Sequence, residues 1–198
     1  MKEKIIEIAN DLFLSYGFKS VTMDDIAKKI GVSKKTIYKY FKNKTELVDV
    51  VTNHTFEIIS CGINDVCNKN LNPIEEIFSI KRLVMEHLKD EKSSPQYQLQ
   101  KYYPETYLSL KKKQFVMMQE CVINNLKIGI DNGFYRKNID LEFISRIYFI
   151  GLTGIKDKDF FPLDNYSMKE LMNYYLEYHM KAICTEKGIQ QLENQLKY

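Results

Sequence analysis

Between Ser33 and Thr45 the chain sets five lysines, Lys34, Lys35, Lys39, Lys42 and Lys44, among Thr36, Tyr38 and Tyr40, with no acidic residue in the stretch. Clustered ammonium groups interleaved with hydroxyls suit phosphate, so the chemistry they support is polyanion binding, not bond breaking. No competing chemistry has the right spacing. His54, His87 and His179 are scattered, without HExxH or a paired Cys/His pattern, and neither a metal nor a cofactor is expected. The sequence has no phosphate loop, GxSxG or dinucleotide fingerprint, and no enzyme activity is expected. Cys61, Cys67, Cys121 and Cys184 make no CxxC. Cys61 and Cys67, six residues apart, fall on opposed sides of an ideal helix, which argues for reduced core thiols and against a redox pair. Asp157, Asp159 and Asp164 flank Phe160-Phe161-Pro162 at a spacing that does not fit an EF-hand and reads as a solvated loop.

Charge is unevenly distributed. Residues 1–45 hold ten lysines against five acids, a balance of +5, and since the whole chain is +3 the remainder carries −2. A basic end on a mildly acidic body points to one localised polyanion contact. At 198 residues and 44% hydrophobic content the chain can bury a real core, as one domain or as a small domain joined to a larger one. No apolar leader follows Met1 and no apolar run approaches the roughly 18 residues of a membrane span, so a cytoplasmic protein without membrane contact is expected.

A lysine cluster addresses phosphate in a defined way only if helices hold it. Helical periodicity runs through almost every segment and no sustained period of two appears, so the fold class is all-α. Ile5, Ile8, Ala9, Leu12, Phe13 and Tyr16 share one face of a first helix, which Gly17 is expected to end in the left-handed conformation. Thr22 caps a second helix with Asp24 and Asp25 in its first turn and Ile26, Ala27 and Ile30 on its buried side. Gly31-Val32-Ser33 makes a tight turn, Ser33 caps a third helix, and Ile37 and Phe41 point into the core, which leaves Lys35, Lys39 and Lys42 along its solvent side. A fourth helix starts near residues 43–45 and runs past Ile63. Further helices are expected from Asn72-Pro73 to about Leu88, from Glu105 to Asn132 closed by Gly133, from Asp140 to Ile155, from Ser167 to about Cys184, and from Thr185 to about Leu196. Lys89 to Pro95 and Tyr102-Tyr103-Pro104 read as breaks, and Lys156 to Asn165 as a charged, aromatic loop.

The first three helices form a helix-turn-helix. In that motif the N-terminal half of the recognition helix reaches base edges in the major groove while flanking groups grip phosphates. Lys34, Lys35 and Thr36 take the base-facing positions; Tyr38, Tyr40 and Lys44 suit phosphate, as does Thr22 at a helix N-terminus. The pattern AxxLFxxxGFxxVTMDDIAxxxGVSKxTIYxYFKNKxEL, over about residues 1–50, resembles the N-terminal domain of the TetR/AcrR family of one-component transcriptional regulators. The resemblance implies a DNA-binding domain over residues 1–45 and a helical effector-binding and dimerisation domain over 46–198. It implies DNA contacts at Thr22, Lys34, Lys35, Thr36, Tyr38, Tyr40 and Lys44, with Lys39 adding a phosphate contact. It also implies a homodimer on a palindromic double-stranded operator, acting as a repressor released by a small, largely apolar molecule.

Family members pair through their last two large helices. Here Ile144, Ile147, Tyr148, Gly151 and Leu152 make one apolar stripe and Leu171, Met172, Tyr175 and His179 another; both stripes can alternatively face the chain's own core. Gly151 and Gly154 permit close helix approach. Phe78, Met85, Tyr103, Tyr107, Met117, Met118 and Phe149, with Tyr97, Tyr102, Phe115 and Phe160, are candidates to line an apolar effector pocket, plain core being the alternative. Another reading of the whole chain is a cytosolic helical small-molecule-binding protein without specific DNA recognition.

Overall fold

A computed structural model of the chain describes residues 1–89, 94–162 and 164–196. Among the described residues there are ten helices: α1 (Lys2–Tyr16), α2 (Met23–Ile30), α3 (Lys34–Tyr38), α4 (Lys44–Cys67), α5 (Pro73–His87), α6 (Pro95–Tyr102), α7 (Pro104–Asp131), α8 (Leu141–Gly154), α9 (Met168–Ile183) and α10 (Glu186–Leu196). No strand occurs among them, only an isolated antiparallel bridge between Tyr135 and Cys184. The chain divides into two compact units, Met1–Ile59 with His87–Lys113, and Ser60–Glu86 with Gln114–Tyr198; α4 and α7 each run through both. No helix among the described residues is long and apolar enough to cross a membrane.

In the first unit α1 buries Ile5, Ile6, Ala9, Phe13 and Leu14. Tyr16, expected on that face, is exposed, because the buried stripe leaves the helix one residue to the side. Gly17 has a positive φ, but at φ 87° and ψ 151° it is not left-handed helical as expected. It leads into a turn over residues 18–20, closed by the Val21 N–H donating to the Gly17 carbonyl at 3.4 Å, and a Cβ at Gly17 would collide with the Gln98 amide. The caps of α2 follow the sequence: the Thr22 hydroxyl accepts the Asp25 N–H at 3.2 Å while the Asp25 carboxylate accepts the Thr22 N–H at 2.8 Å. At the other end Gly31, left-handed at φ 81° and ψ 34°, donates its N–H to the Ala27 and Lys28 carbonyls.

Ser33 accepts the Thr36 N–H at 3.2 Å and starts α3, which ends after five residues. Lys42 therefore lies beyond the helix and not along its side as expected; the Tyr40 N–H has already moved to an i to i+3 bond with the Ile37 carbonyl. Asn43 then starts α4 by accepting the Glu46 N–H at 2.8 Å. Ile26, Ile37, Phe41 and Leu47 form the centre of this core, each stabilising the fold by about 1.5–3 kcal/mol on burial. Leu99 of α6 joins it. Helix α6, with Pro95 at its start, occupies the interval between the two anticipated breaks; residues 90–93 of the first break lie outside the described residues.

The second unit packs α5, α8, α9 and α10 with the C-terminal part of α7 around Phe78, Leu126, Tyr135, Leu176, Met180 and Leu192. Asp140 and Ser167 cap α8 and α9 as expected, accepting from the Phe143 and Glu170 amides. One polar network is sealed inside. Asn125 donates to the Glu76 carboxylate at 2.7 Å and to the Pro73 carbonyl at 2.9 Å, and Tyr135 donates to Asn125 at 2.9 Å. Burial pushes the Glu76 carboxyl above its ordinary range, against the bond from Asn125.

Candidate nucleic-acid interface

Helix α3 buries one residue, Ile37, and exposes or half-exposes the rest. At about 100° per residue, Lys35 lies nearly opposite Ile37, with Lys34 and Tyr38 to one side and Thr36 to the other. Ile37 thus orients the helix, and its polar arc has no core to join. Lys35, Tyr38, Lys39 and Tyr40 are all exposed. Thr36 is half-buried, its hydroxyl 2.9 Å from that of Ser33, so the N-cap fixes its rotamer.

Besides Thr36, three of the expected contacts carry intramolecular partners. The Lys34 ammonium pairs with the Asp24 carboxylate at 2.7 Å, and this bond raises its pKa. Any phosphate or base must compete with that acid. The Lys44 ammonium donates to the Lys19 carbonyl at 3.2 Å; partial burial lowers its pKa while the charge of Asp25 works the other way. Lys44 thereby fastens the loop between α1 and α2 to the start of α4. Thr22 is exposed, with its hydroxyl donating to Asp25 at 2.7 Å, and those bonds hold the Asp25 carboxyl below its ordinary range. The loop is also held from α6: Gln98 accepts the Lys19 N–H at 3.2 Å, and the Lys19 ammonium sits 5.0 Å from the Tyr102 ring centre. The spacing of Asp24 and Lys34 contained no signal for their pairing, because they meet only through the turn at Gly31.

The expected pairing face needs correction. Tyr148, Leu171, Met172 and His179 are buried inside the second unit, and Ile144, Leu152 and Tyr175 pack on its cores. Gly151 is approached by a side chain of its own chain, since Tyr175 lies against it and donates to the Ile147 and Tyr148 carbonyls at 3.0 and 3.1 Å. Of the nine positions only Ile147 is exposed. The outward apolar residues are instead Phe143 (60% exposed), Ile147 and Ile150 (60%) on α8, and Tyr174 (60%) and Tyr178 (73%) on α9. Sequence reasoning missed them although the spacings i, i+4, i+7 and i, i+4 were legible, because each helix carries two apolar stripes and the inner one is richer.

The expected pocket residues do not share one environment. Tyr103 and Tyr107 pack on the core of the first unit, whereas Phe78, Met85, Met117, Met118 and Phe149 belong to the second. Within the second unit Phe78 is in the central core, Met85 packs with Ile155 and Met168, and Phe149 meets Phe115 edge-on at 5.2 Å. Phe160 is exposed on the loop after α8, and Leu163 of that loop lies outside the described residues. The thiols also differ from the expected core setting: Cys61 is exposed, Cys67 and Cys121 are half-buried, and Cys184 alone is buried.

Residues 5–51 match the family model described as bacterial regulatory proteins, tetR family. The HTH-type transcriptional repressor KstR2 of Mycobacterium tuberculosis is 24% identical over 149 residues, covering 72% of this chain and 73% of its own. The negative regulator IcaR of the icaADBC biofilm operon in Staphylococcus epidermidis is 23% identical over 168 residues, covering 72% and 87%. Among solved structures, SmeT, the repressor of a Stenotrophomonas maltophilia multidrug efflux pump, superposes with a TM-score of 0.69 at 14% identity over 94% of this chain and 91% of that one. Residues 5–51 form a domain of the tetR family of bacterial regulatory proteins, and together with the likeness to HTH-type transcriptional repressors over 72% of the chain this makes the protein a DNA-binding regulator of transcription.

Proposed function

We propose that the protein is a dimeric repressor that binds a palindromic operator and leaves it when a small, largely apolar molecule binds the second unit. The observation that carries the reading is the outward arc of α3, where Lys34, Lys35, Thr36, Tyr38 and Lys39 stand around the buried Ile37. Lys35 and Thr36 read bases, with Lys34 joining them once Asp24 is displaced; Tyr38, Lys39, Tyr40 and the Thr22 hydroxyl hold phosphates. Lys44 acts from its seat on the Lys19 carbonyl, positioning the loop and adding positive potential.

One recognition helix reads too few base pairs to address a genome, and two-fold pairing supplies the second half-site. The outward stripe of Phe143, Ile147, Ile150, Tyr174 and Tyr178 supports a pairing face on α8 and α9, and Gly154, exposed with open space around its Cα, allows a partner helix to come close. For the effector, Met85, Phe115, Met117, Met118 and Phe149 of the second unit are the favoured lining, since methionine and aromatic side chains adapt to apolar molecules. The site of action is the cytoplasm, where the chromosome lies.

The test is retardation of a DNA fragment from the protein's own promoter. The expected result is a shift whose affinity falls with salt at a log-log slope near −0.9 per neutralised phosphate. A missing or salt-insensitive shift on every flanking fragment overturns the reading.

A further inference from the structure

Two thiols of the second unit are used neither by the α3 surface nor by the apolar faces. Cys67 is the last residue of α4, Cys121 lies within α7, and their sulfurs are 3.6 Å apart although 54 positions separate them in sequence. A disulfide requires sulfurs about 2.05 Å apart, so bonding takes an approach of about 1.5 Å. Cys67 can supply it: Asn68 and Lys69 after it form a turn, while Cys121 is held by helix on both sides. Either sulfur can be the donor in the thiol contact; Cys67 is the less strongly raised of the two and so the more readily deprotonated, which makes it the better nucleophile. Burial pushes both thiols up, Cys121 more strongly, and the Glu76 carboxyl adds to the effect. Both are therefore protonated at rest, and the pair stays reduced until oxidant is abundant.

We propose that Cys67 and Cys121 form a redox-active dithiol that hydroperoxides convert to an intrachain disulfide, tying the end of α4 to α7 and changing the affinity of the chain for DNA. The Cys67 sulfur attacks one peroxide oxygen, the O–O bond breaks, and the departing oxygen takes the thiol proton, leaving a sulfenic acid at Cys67 and an alcohol. The Cys121 sulfur then attacks the sulfenic sulfur. The S–S bond forms, the S–O bond breaks, and the hydroxyl leaves with the Cys121 proton as water. Two thiols and one hydroperoxide thus give one disulfide, one alcohol and one water, or two waters when the oxidant is hydrogen peroxide, with two electrons passing from sulfur to oxygen. The effect on DNA rests on the DNA-binding reading: α4 begins at Lys44, the residue that holds the Lys19 carbonyl, and a covalent tie at Cys67 restricts the far end of the same helix.

The experiment treats the full chain with hydrogen peroxide and reads mass, peptide linkage, thermal midpoint and affinity for the promoter fragment. The expected result is loss of two hydrogens, a Cys67–Cys121 linked peptide reversed by dithiothreitol, a higher thermal midpoint, and a change in DNA affinity of about fivefold or more. Cys61→Ser should keep all four responses; Cys67→Ser and Cys121→Ser should lose them while binding DNA like the reduced protein. A link through Cys61 or Cys184, or oxidation to sulfinic acid without any link, overturns the dithiol. A Cys67–Cys121 link that leaves DNA affinity within about twofold overturns its regulatory role. A link in a protein that binds DNA in neither state refutes the DNA-binding reading and with it that role, leaving the dithiol itself standing.

Discussion

Helix α3 and the pair α8 and α9 pose the same problem in opposite ways. Each buries one side, but α3 turns lysines and hydroxyls outward, whereas α8 and α9 turn out Phe143, Ile150, Tyr174 and Tyr178. A cationic outer face gains by meeting phosphate and releasing its counterions; an apolar outer face gains by leaving water altogether. The inner face makes the helix and the outer face states its business.

The strongest way to break this contrast is to charge the apolar face. Phe143→Asp with Ile150→Asp is expected to weaken self-association by more than about 100-fold in sedimentation equilibrium, as two desolvated carboxylates cannot be sealed between apolar helices. If the double variant pairs like the parent, the outward stripe is not the pairing face. The inner face of α9 is tested by pH. Burial holds the His179 imidazole down to about 4, below the value of about 6.5 in an unfolded chain. Stability from a neutral His179 is complete above about pH 6.5, and it is lost as pH falls through that value towards 4 because the unfolded chain takes up the proton first. The loss should reach about 3 kcal/mol near pH 4 in denaturant titrations, and His179→Phe should flatten the profile across that window.

On α3, Lys35→Ala is expected to cost about 1–3 kcal/mol of operator binding and to relax preference at one base position, read by competition among sequence variants. An equal loss on every sequence would make Lys35 a phosphate contact instead. Thr22→Ala removes a capping box and should lower stability by about 1 kcal/mol in thermal unfolding. Asp24→Asn releases Lys34 from its ion pair and should strengthen DNA binding by about two- to fivefold in the same shift assay, the range set by the small worth of exposed pairs. Weakened binding would mean that the Asp24 contact positions Lys34 for the operator.

Legibility follows the range of the interactions. Thr22, Ser33, Asp140 and Ser167 were readable as caps because a cap and its amide lie three residues apart, and Gly31 because one residue's backbone suffices. The outward arc of α3 was readable because Ile37 alone among residues 34–38 is strongly apolar and core-facing. The faces of α8 were not, since Ile144 with Tyr148 and Phe143 with Ile147 have the same spacing and similar hydrophobicity. Nor was α6 placed as an element, whose Leu99 completes the first core from far along the chain.

The sequence by itself determined every helix but α6, the caps at Thr22, Ser33, Asp140 and Ser167, the basic surface and the family of the N-terminal segment, since each depends on neighbours within a few residues or on a matched local pattern. The tertiary structure alone decided which of two apolar stripes is buried, that Lys34 is held by Asp24 and Lys44 by the Lys19 carbonyl, and that Cys67 meets Cys121. Those outcomes depend on where separate helices come to lie, and periodicity along one helix carries no record of its neighbour.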